Sequence, residues 1–234
     1  MIDAKNIVSE IPDSVAIKFQ FKALSGKVSN SNPIGIKSLS EQHSQHIQHI
    51  IQQSIDLKTL ILQDAELLQR INDVSHRLID MFKSGRRLLI AGNGGSAADA
   101  QHIAAEFICR FNFDRPALPA LALATNFSMI TAAGNDYTFD EIFSREIEAN
   151  GQQGDIFIGI STSGNSSNIL KAIEAAKSKG IYTVGLCGSG GKILTEADIC
   201  LNIPSDCTPR IQECHIMVGH IICEIVENQL YPRL

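Results

Sequence analysis

From residue 88 onward the chain repeats one local pattern: a short apolar run that breaks into small residues and then opens a helical stretch. The runs fall at 88–91, 119–124, 156–160, 182–186 and 199–203. Helical patterns fill the gaps at 96–111, 126–133, 138–149, 166–179 and 191–196, and a last helix runs over 209–229. Apolar strands that alternate with helices are buried on both faces and connect by right-handed crossovers, so the pattern predicts an α/β three-layer sandwich with a five-stranded parallel sheet flanked by helices. A hydrophobic content of 44% over 234 residues is enough for one full core.

Two of the strand-to-helix joints stand out. Leu88-Leu-Ile-Ala-Gly-Asn-Gly-Gly-Ser96 and Ile156-Phe-Ile-Gly-Ile-Ser-Thr-Ser-Gly-Asn-Ser166 both place small residues where backbone N–H groups and a helix N-terminus converge. An anion belongs at such a joint. In the second, Ser161, Thr162, Ser163 and Ser166 add hydroxyl donors that could wrap a phosphate without a basic side chain. Glycine and serine also punctuate ordinary turns, but two such loops in one sheet, with no nucleotide-type lysine, point to a sugar phosphate.

Ahead of the sheet the pattern differs. Residues 1–38 carry turn formers such as Pro12, Gly26 and Pro33 and read as an N-terminal extension, and 39–234 as the folded domain with a helical layer at its start. Within the extension, Val15 to Lys22 alternates apolar and polar residues as a strand does. Ser38 with Glu41 has capping-box spacing, which starts a helix running to about Leu62, and a second amphipathic helix carries Leu67, Leu68, Ile71, Val74, Leu78 and Phe82 before Gly85. Their wide apolar faces suit packing on the core or between subunits. His43, His46 and His49 lie on the first helix, where a spacing of three drifts around the axis and reads as a solvated polar face.

A net charge of −5 with scattered basic residues argues against nucleic acid, and no apolar stretch is long enough to span a bilayer. With no signal-peptide layout, the expectation is a soluble cytoplasmic protein. Cys109, Cys187, Cys200, Cys207, Cys214 and Cys223 include no C-x-x-C pair and read as small buried hydrophobes.

Chemistry-bearing residues collect on two helices. His102 and Glu106 are four apart and share a face, although Glu106 could simply pair with Arg110 in solvent. The last helix carries an apolar stripe of Ile211, Cys214, Val218, Ile221, Ile222, Ile225 and Val226, so it is mostly buried, and Gln212, Glu213 and His220 on the neighbouring face need partners. If the two helices met, His102, Glu106, Gln212 and His220 would satisfy one another or a bound ion. His215 shares the apolar stripe and reads as a hydrogen-bonded core histidine.

The segments Gly92 to Glu106, Gly134-Asn-Asp136, Gly159 to Ser166, and Arg210-Ile-Gln-Glu-Cys-His215 with His220 together resemble the phosphoheptose (sedoheptulose 7-phosphate) isomerase family of the sugar isomerase (SIS) fold group, from about residue 40 to the end. The resemblance implies a five-stranded parallel sheet, a homotetramer with sites between subunits, and an aldose-ketose isomerase making D-glycero-D-manno-heptose 7-phosphate for nucleotide-activated heptose biosynthesis. It matches the catalytic pair to Glu106 and His220. It matches the phosphate loop to Ser161, Thr162, Ser163 and Ser166, and sugar contacts to Asn93, Gly94, Gly95, Ser96, Glu106, Asn135, Asp136 and Gln212. One zinc ion per site is implied, on His102, Glu106, Gln212 and His220. Such an isomerase needs a base for a carbon-bound proton, an acid for the oxygens and a group to steady an oxyanion. Glu106 fits the base and His220 the acid. Two other readings compete. Gly92-x-Gly94-x-x-Ala97 fits a dinucleotide fingerprint but lacks the acidic ribose partner near Ala124 to Asn126. A non-catalytic relative that binds the replication initiator DnaA shares the scaffold but has no use for Glu106 and His220.

Overall fold

The computed structural model describes residues 34–233. Two helices, α1 (Ile34–Gln63) and α2 (Ala65–Lys83), precede β1 (Leu88–Gly92), α3 (Gly95–Ile108), β2 (Ala120–Ala122), α4 (Phe127–Asp136) and α5 (Ile142–Asn150). They are followed by β3 (Ile156–Ser161), α6 (Ser167–Ser178), β4 (Tyr182–Cys187), α7 (Ile193–Glu196), β5 (Ile199–Asn202) and α8 (Thr208–Leu230). A 3-10 turn at Phe139–Glu141 leads into α5. All strand pairs are parallel and the order is β2-β1-β3-β4-β5. Every residue of the central strands β1 and β3 is buried, as strands covered on both faces must be.

Two apolar cores cover the two faces of the sheet. One joins α2, α3 and α8 to Leu88, Ile90, Ile158 and Ile160; the other joins α5, α6 and α7 to Leu89, Ala91 and Phe157. Alternate residues of β1 and β3 thus feed opposite layers, as the period of two along a strand requires. The chain leaves β1 into α3 on one face and β3 into α6 on the other. Adjacent strands whose helices depart to opposite faces open a crevice at their carboxyl ends. Both glycine-containing joints stand there.

The sheet and the helix order follow the sequence reading, with differences at the ends of elements. The first helix is already running at Ile34, so Ser38 is not its N-cap. Extending an existing helix fixes one residue per hydrogen bond gained, and nothing in Ile34-Gly-Ile-Lys37 stops it. The break between the first two helices comes at Asp64, whose side chain accepts from Leu67 N at 2.9 Å as an N-cap. Leu67, Ile71, Val74, Leu78 and Phe82 are buried, but Leu68 is exposed. Among the described side chains of α1 only Leu57 and Ile61 enter the core; Ile47, Ile51, Ile55 and Leu62, one adjoining stripe, are each half or more exposed. The alternating segment Val15 to Lys22 lies outside the described residues. Four cysteines are buried as expected, whereas Cys109 and Cys207 are exposed because each caps a helix where the chain turns away from the core. His43, His46 and His49 are exposed. Among the described residues no helix is long and apolar enough to cross a membrane.

Candidate active site

The α3–α8 crossing brings together residues from the middle and the end of the chain. At Gly219 a Cβ would stand 2.7 Å from Ile103 Cδ1, so the two helices approach as closely as they do only because α8 has no side chain there. The neighbours of those two contact residues are His220 and His102. Their rings meet edge to face with centroids 5.0 Å apart, and Phe111 packs on His220 at 5.4 Å. His102 Nε2 lies 3.2 Å from Glu106 Oε1. Glu106 therefore pairs along its helix with His102 and not with Arg110. Single ligand atoms of His102, Glu106 and His220 all lie within 4.8 Å of one another, and the buried Nε2 of His220 has no partner. Two imidazoles and a carboxylate so close together are a donor set that fits zinc.

Asp99, one turn before His102 on α3, joins the same face and was not singled out from the sequence. Burial pushes its carboxyl above the ordinary carboxylate value while His102 and His220 pull it down, and its Oδ2 is buried without a partner. His215 behaves as a core histidine: fully buried, with Nε2 3.2 Å from Cys187 O, and burial pushes its imidazole down to about 4. Gln212 stands at the first joint. Its Nε2 sits 2.7 Å from where a Cβ on Gly95 would stand, which puts the amide over the first joint at the start of α3. Arg210 and Glu213 flank it and fasten α8 to α1. Arg210 Nη1 donates to Ile50 O at 2.8 Å, and Glu213 accepts from Ser54 at 2.7 Å and from Arg210 at 2.6 Å.

The two joints are tied to each other. Asn93 and Asn168 exchange side-chain amide hydrogen bonds in both directions, each 2.9 Å. Gly94 caps α3 with φ +55°, Gly95 is exposed, and Ser96 is buried behind them. In the second joint Ser161 and Ser166 hydroxyls bond at 2.8 Å, and Asn165 N donates to Ser163 Oγ at 3.2 Å. Ser166 caps α6 without a side-chain cap bond, which leaves first-turn N–H groups facing the loop. Thr162 is half-buried and Ser163 exposed. Asn135 and Asp136 lie exposed in the last turn of α4, bonded to each other at 2.9 Å. Among the described hydrogen bonds nothing links that pair to either joint; the nearest tie is Ser167 donating to Asp140 beyond it.

Comparison with known proteins is consistent with this arrangement. The SIS domain family matches residues 55–188. A phosphoheptose isomerase of Aneurinibacillus thermoaerophilus is 57% identical over 187 residues, 80% of this chain and 94% of the relative. The chain belongs to the phosphoheptose isomerase family. Solved structures of phosphoheptose isomerases from Francisella tularensis and Neisseria gonorrhoeae superpose with TM-scores of 0.76 and 0.72 at 35% and 38% identity. They cover 80% and 81% of this chain, and 98% and 99% of their own. As a phosphoheptose isomerase family member the chain is an isomerase with the SIS fold. These relatives give no support to the DnaA-binding alternative.

Proposed function

We propose that the chain interconverts sedoheptulose 7-phosphate and D-glycero-D-manno-heptose 7-phosphate through an enediol. The observation that carries this reading is the meeting of Glu106 and His220, from separate helices, on the helix that starts at one of two tied anion-type loops. Glu106 takes the proton from the hydroxyl-bearing carbon beside the ketone and returns it to the former carbonyl carbon. His220 gives a proton to the carbonyl oxygen and accepts one from the neighbouring hydroxyl as the double bond shifts. Ser161, Thr162, Ser163 and Ser166, with the first turn of α6, hold the phosphate. Asn93, Gly94, Gly95, Ser96, Asn135, Asp136 and Gln212 contact the sugar, Asn93 through the lone pair and N–H that its pairing with Asn168 leaves over.

His102, Glu106, Gln212 and His220 would hold one zinc ion, which when bound supplies Lewis-acid polarisation of the carbonyl. The catalytic unit starts near residue 39, assembles as a homotetramer, and works in the cytoplasm, supplying nucleotide-activated heptose synthesis. The exposed stripe Ile47, Ile51, Ile55 and Leu62 supports assembly, because an apolar face of that length is seldom left to solvent.

The deciding assay offers five- to seven-carbon ketose phosphates in deuterated water. The seven-carbon ketose should turn over fastest and gain deuterium beside the carbonyl; preference for a five-carbon substrate, or no turnover at all, would overturn the assignment.

A further inference from the structure

Behind the catalytic side chains the α3–α8 crossing is locked by a buried ion pair. Arg115 Nε donates to Glu227 Oε1 at 3.1 Å, with the two side chains 2% and 1% exposed. The same carboxylate accepts the backbone N–H of Phe111 at 2.9 Å and of Asn112 at 2.7 Å. On its other side the guanidinium donates to the carbonyls of Glu106 at 2.8 Å, Phe107 at 2.6 Å and Pro116 at 3.0 Å.

Each of these bonds answers a local need. The last carbonyls of a helix have no helical partner, and a cation at that end also meets the negative pole of the helix dipole. Arg115 supplies both for α3. Burial alone would push the Glu227 carboxyl up, but the Asn112 and Phe111 N–H groups and Arg115 hold it below its ordinary value. The pair also explains why α3 stops at Ile108 and not at Phe111, where the apolar pattern would carry it: Glu227 takes the N–H groups that another turn would use, and Arg115 takes the carbonyls.

The placement of the two ends matters most. One end of the pair grips the carbonyl of Glu106 itself. The other sits on α8 two turns beyond His220, on nearly the same face. We infer that Arg115 and Glu227 are positioning residues that fix the separation between Glu106 and His220, and so the geometry of both proton transfer and metal holding. The inference rests on the isomerase reading for its catalytic half only. A buried ion pair is a poor device for stability alone, since apolar replacements of similar volume often do as well, whereas its six directed bonds specify one arrangement.

The test uses the full chain with Arg115→Lys, which keeps the charge but loses the fork, and Glu227→Gln, which turns one acceptor oxygen into a donor facing N–H groups. Ile173→Ala, in the core on the opposite face of the sheet, serves as a control for lost stability. Three quantities are read: kcat and KM on the sugar phosphate, melting temperature, and zinc affinity of the metal-stripped protein by chelator competition. Both site variants should lower zinc affinity about 10- to 100-fold, the usual effect of losing an outer partner of a metal ligand. They should lower kcat at least about tenfold while KM moves less than about threefold, because the second joint is untouched. Ile173→Ala should melt earlier yet keep zinc affinity and kcat below its melting range. If Arg115→Lys does not fold, Glu227→Gln carries the comparison. Variants that melt earlier but match wild type in kcat and zinc affinity would overturn the inference. Wild type inactive on every sugar phosphate would instead refute the isomerase reading, and zinc affinity would still decide the positioning role.

Discussion

The joint after β3 and the cluster on α3 and α8 are proposed to serve one reaction, yet they are stabilised over very different distances along the chain. Ser161, Ser163, Asn165 and Ser166 bond among themselves, and the loop after β4 completes the joint, with Gly188, Lys192 and Ile193 N–H groups donating to Thr162 O, Asn165 Oδ1 and Gly164 O, so the joint is shaped by two neighbouring segments. Glu106 and His220 come from opposite halves of the domain and meet only because α3 and α8 cross at Gly219 and are pinned by Arg115 and Glu227. A site shaped by two neighbouring segments should be damaged mainly by changes within them. One assembled across the fold should also be damaged from outside.

The largest effect should come from removing the base. Glu106→Gln keeps size and hydrogen bonding, and its side chain is outside both cores, so turnover should fall about 100- to 10,000-fold with little change in melting temperature. Solvent deuterium should no longer enter the carbon beside the carbonyl; exchange at the wild-type rate would move the base to another residue, His220 first. Next in size is Gly219→Ala, which touches no substrate. Its Cβ meets Ile103 and spreads the helices, so kcat should drop about 10- to 100-fold. Adding Ile103→Val, which deletes the clashing Cδ1 methyl, should recover part of the loss. An unchanged kcat in the single variant would show that the cluster does not depend on the crossing.

In the local joint, Ser163→Ala should raise KM about tenfold, the cost of one hydrogen bond to a charged group, with a smaller change in kcat. A substrate analogue without phosphate should not notice the change. Equal sensitivity of both compounds would mean that the joint binds something other than phosphate.

The smallest effect concerns stability and sharpens the contrast at α8. Burial lowers the His215 imidazole from 6.5 to about 4 in the folded chain, so between those values the unfolded chain binds the extra proton. Its contribution is therefore complete above about pH 6.5 and is lost as pH falls toward 4. Denaturation midpoints measured across that window should slope downward with falling pH in wild type and less steeply in His215→Gln. Identical slopes would assign the acid sensitivity to other groups.

How much of this could be read from sequence follows the same division. The five strands and their helices were legible because each is announced by its own apolar run, and the second joint because its hydroxyls are consecutive. His102 and Glu106 by themselves fit a solvated polar face on which Glu106 pairs with Arg110. Only the apolarity of α8 hinted that their partner lay there, and the roles assigned to them came with the family resemblance. Asn168, Asp99, Arg115 and Glu227 were not legible at all, since a buried polar residue is marked by its partners, and these partners are distant in the chain. The end of α3 departs from its apolar pattern for that reason: a side chain on α8 decides where it stops.

The reciprocal bonds between Asn93 and Asn168 carry one further consequence. Each amide satisfies the other, so the gap between the two joints is set during folding and needs no ligand to set it. A molecule gripped by its anionic end at one joint then offers its remaining atoms at a fixed reach from the other. On the proposed reading, chain length would be gauged there as by a pair of callipers, with a ligand one carbon too short held firmly in the wrong place.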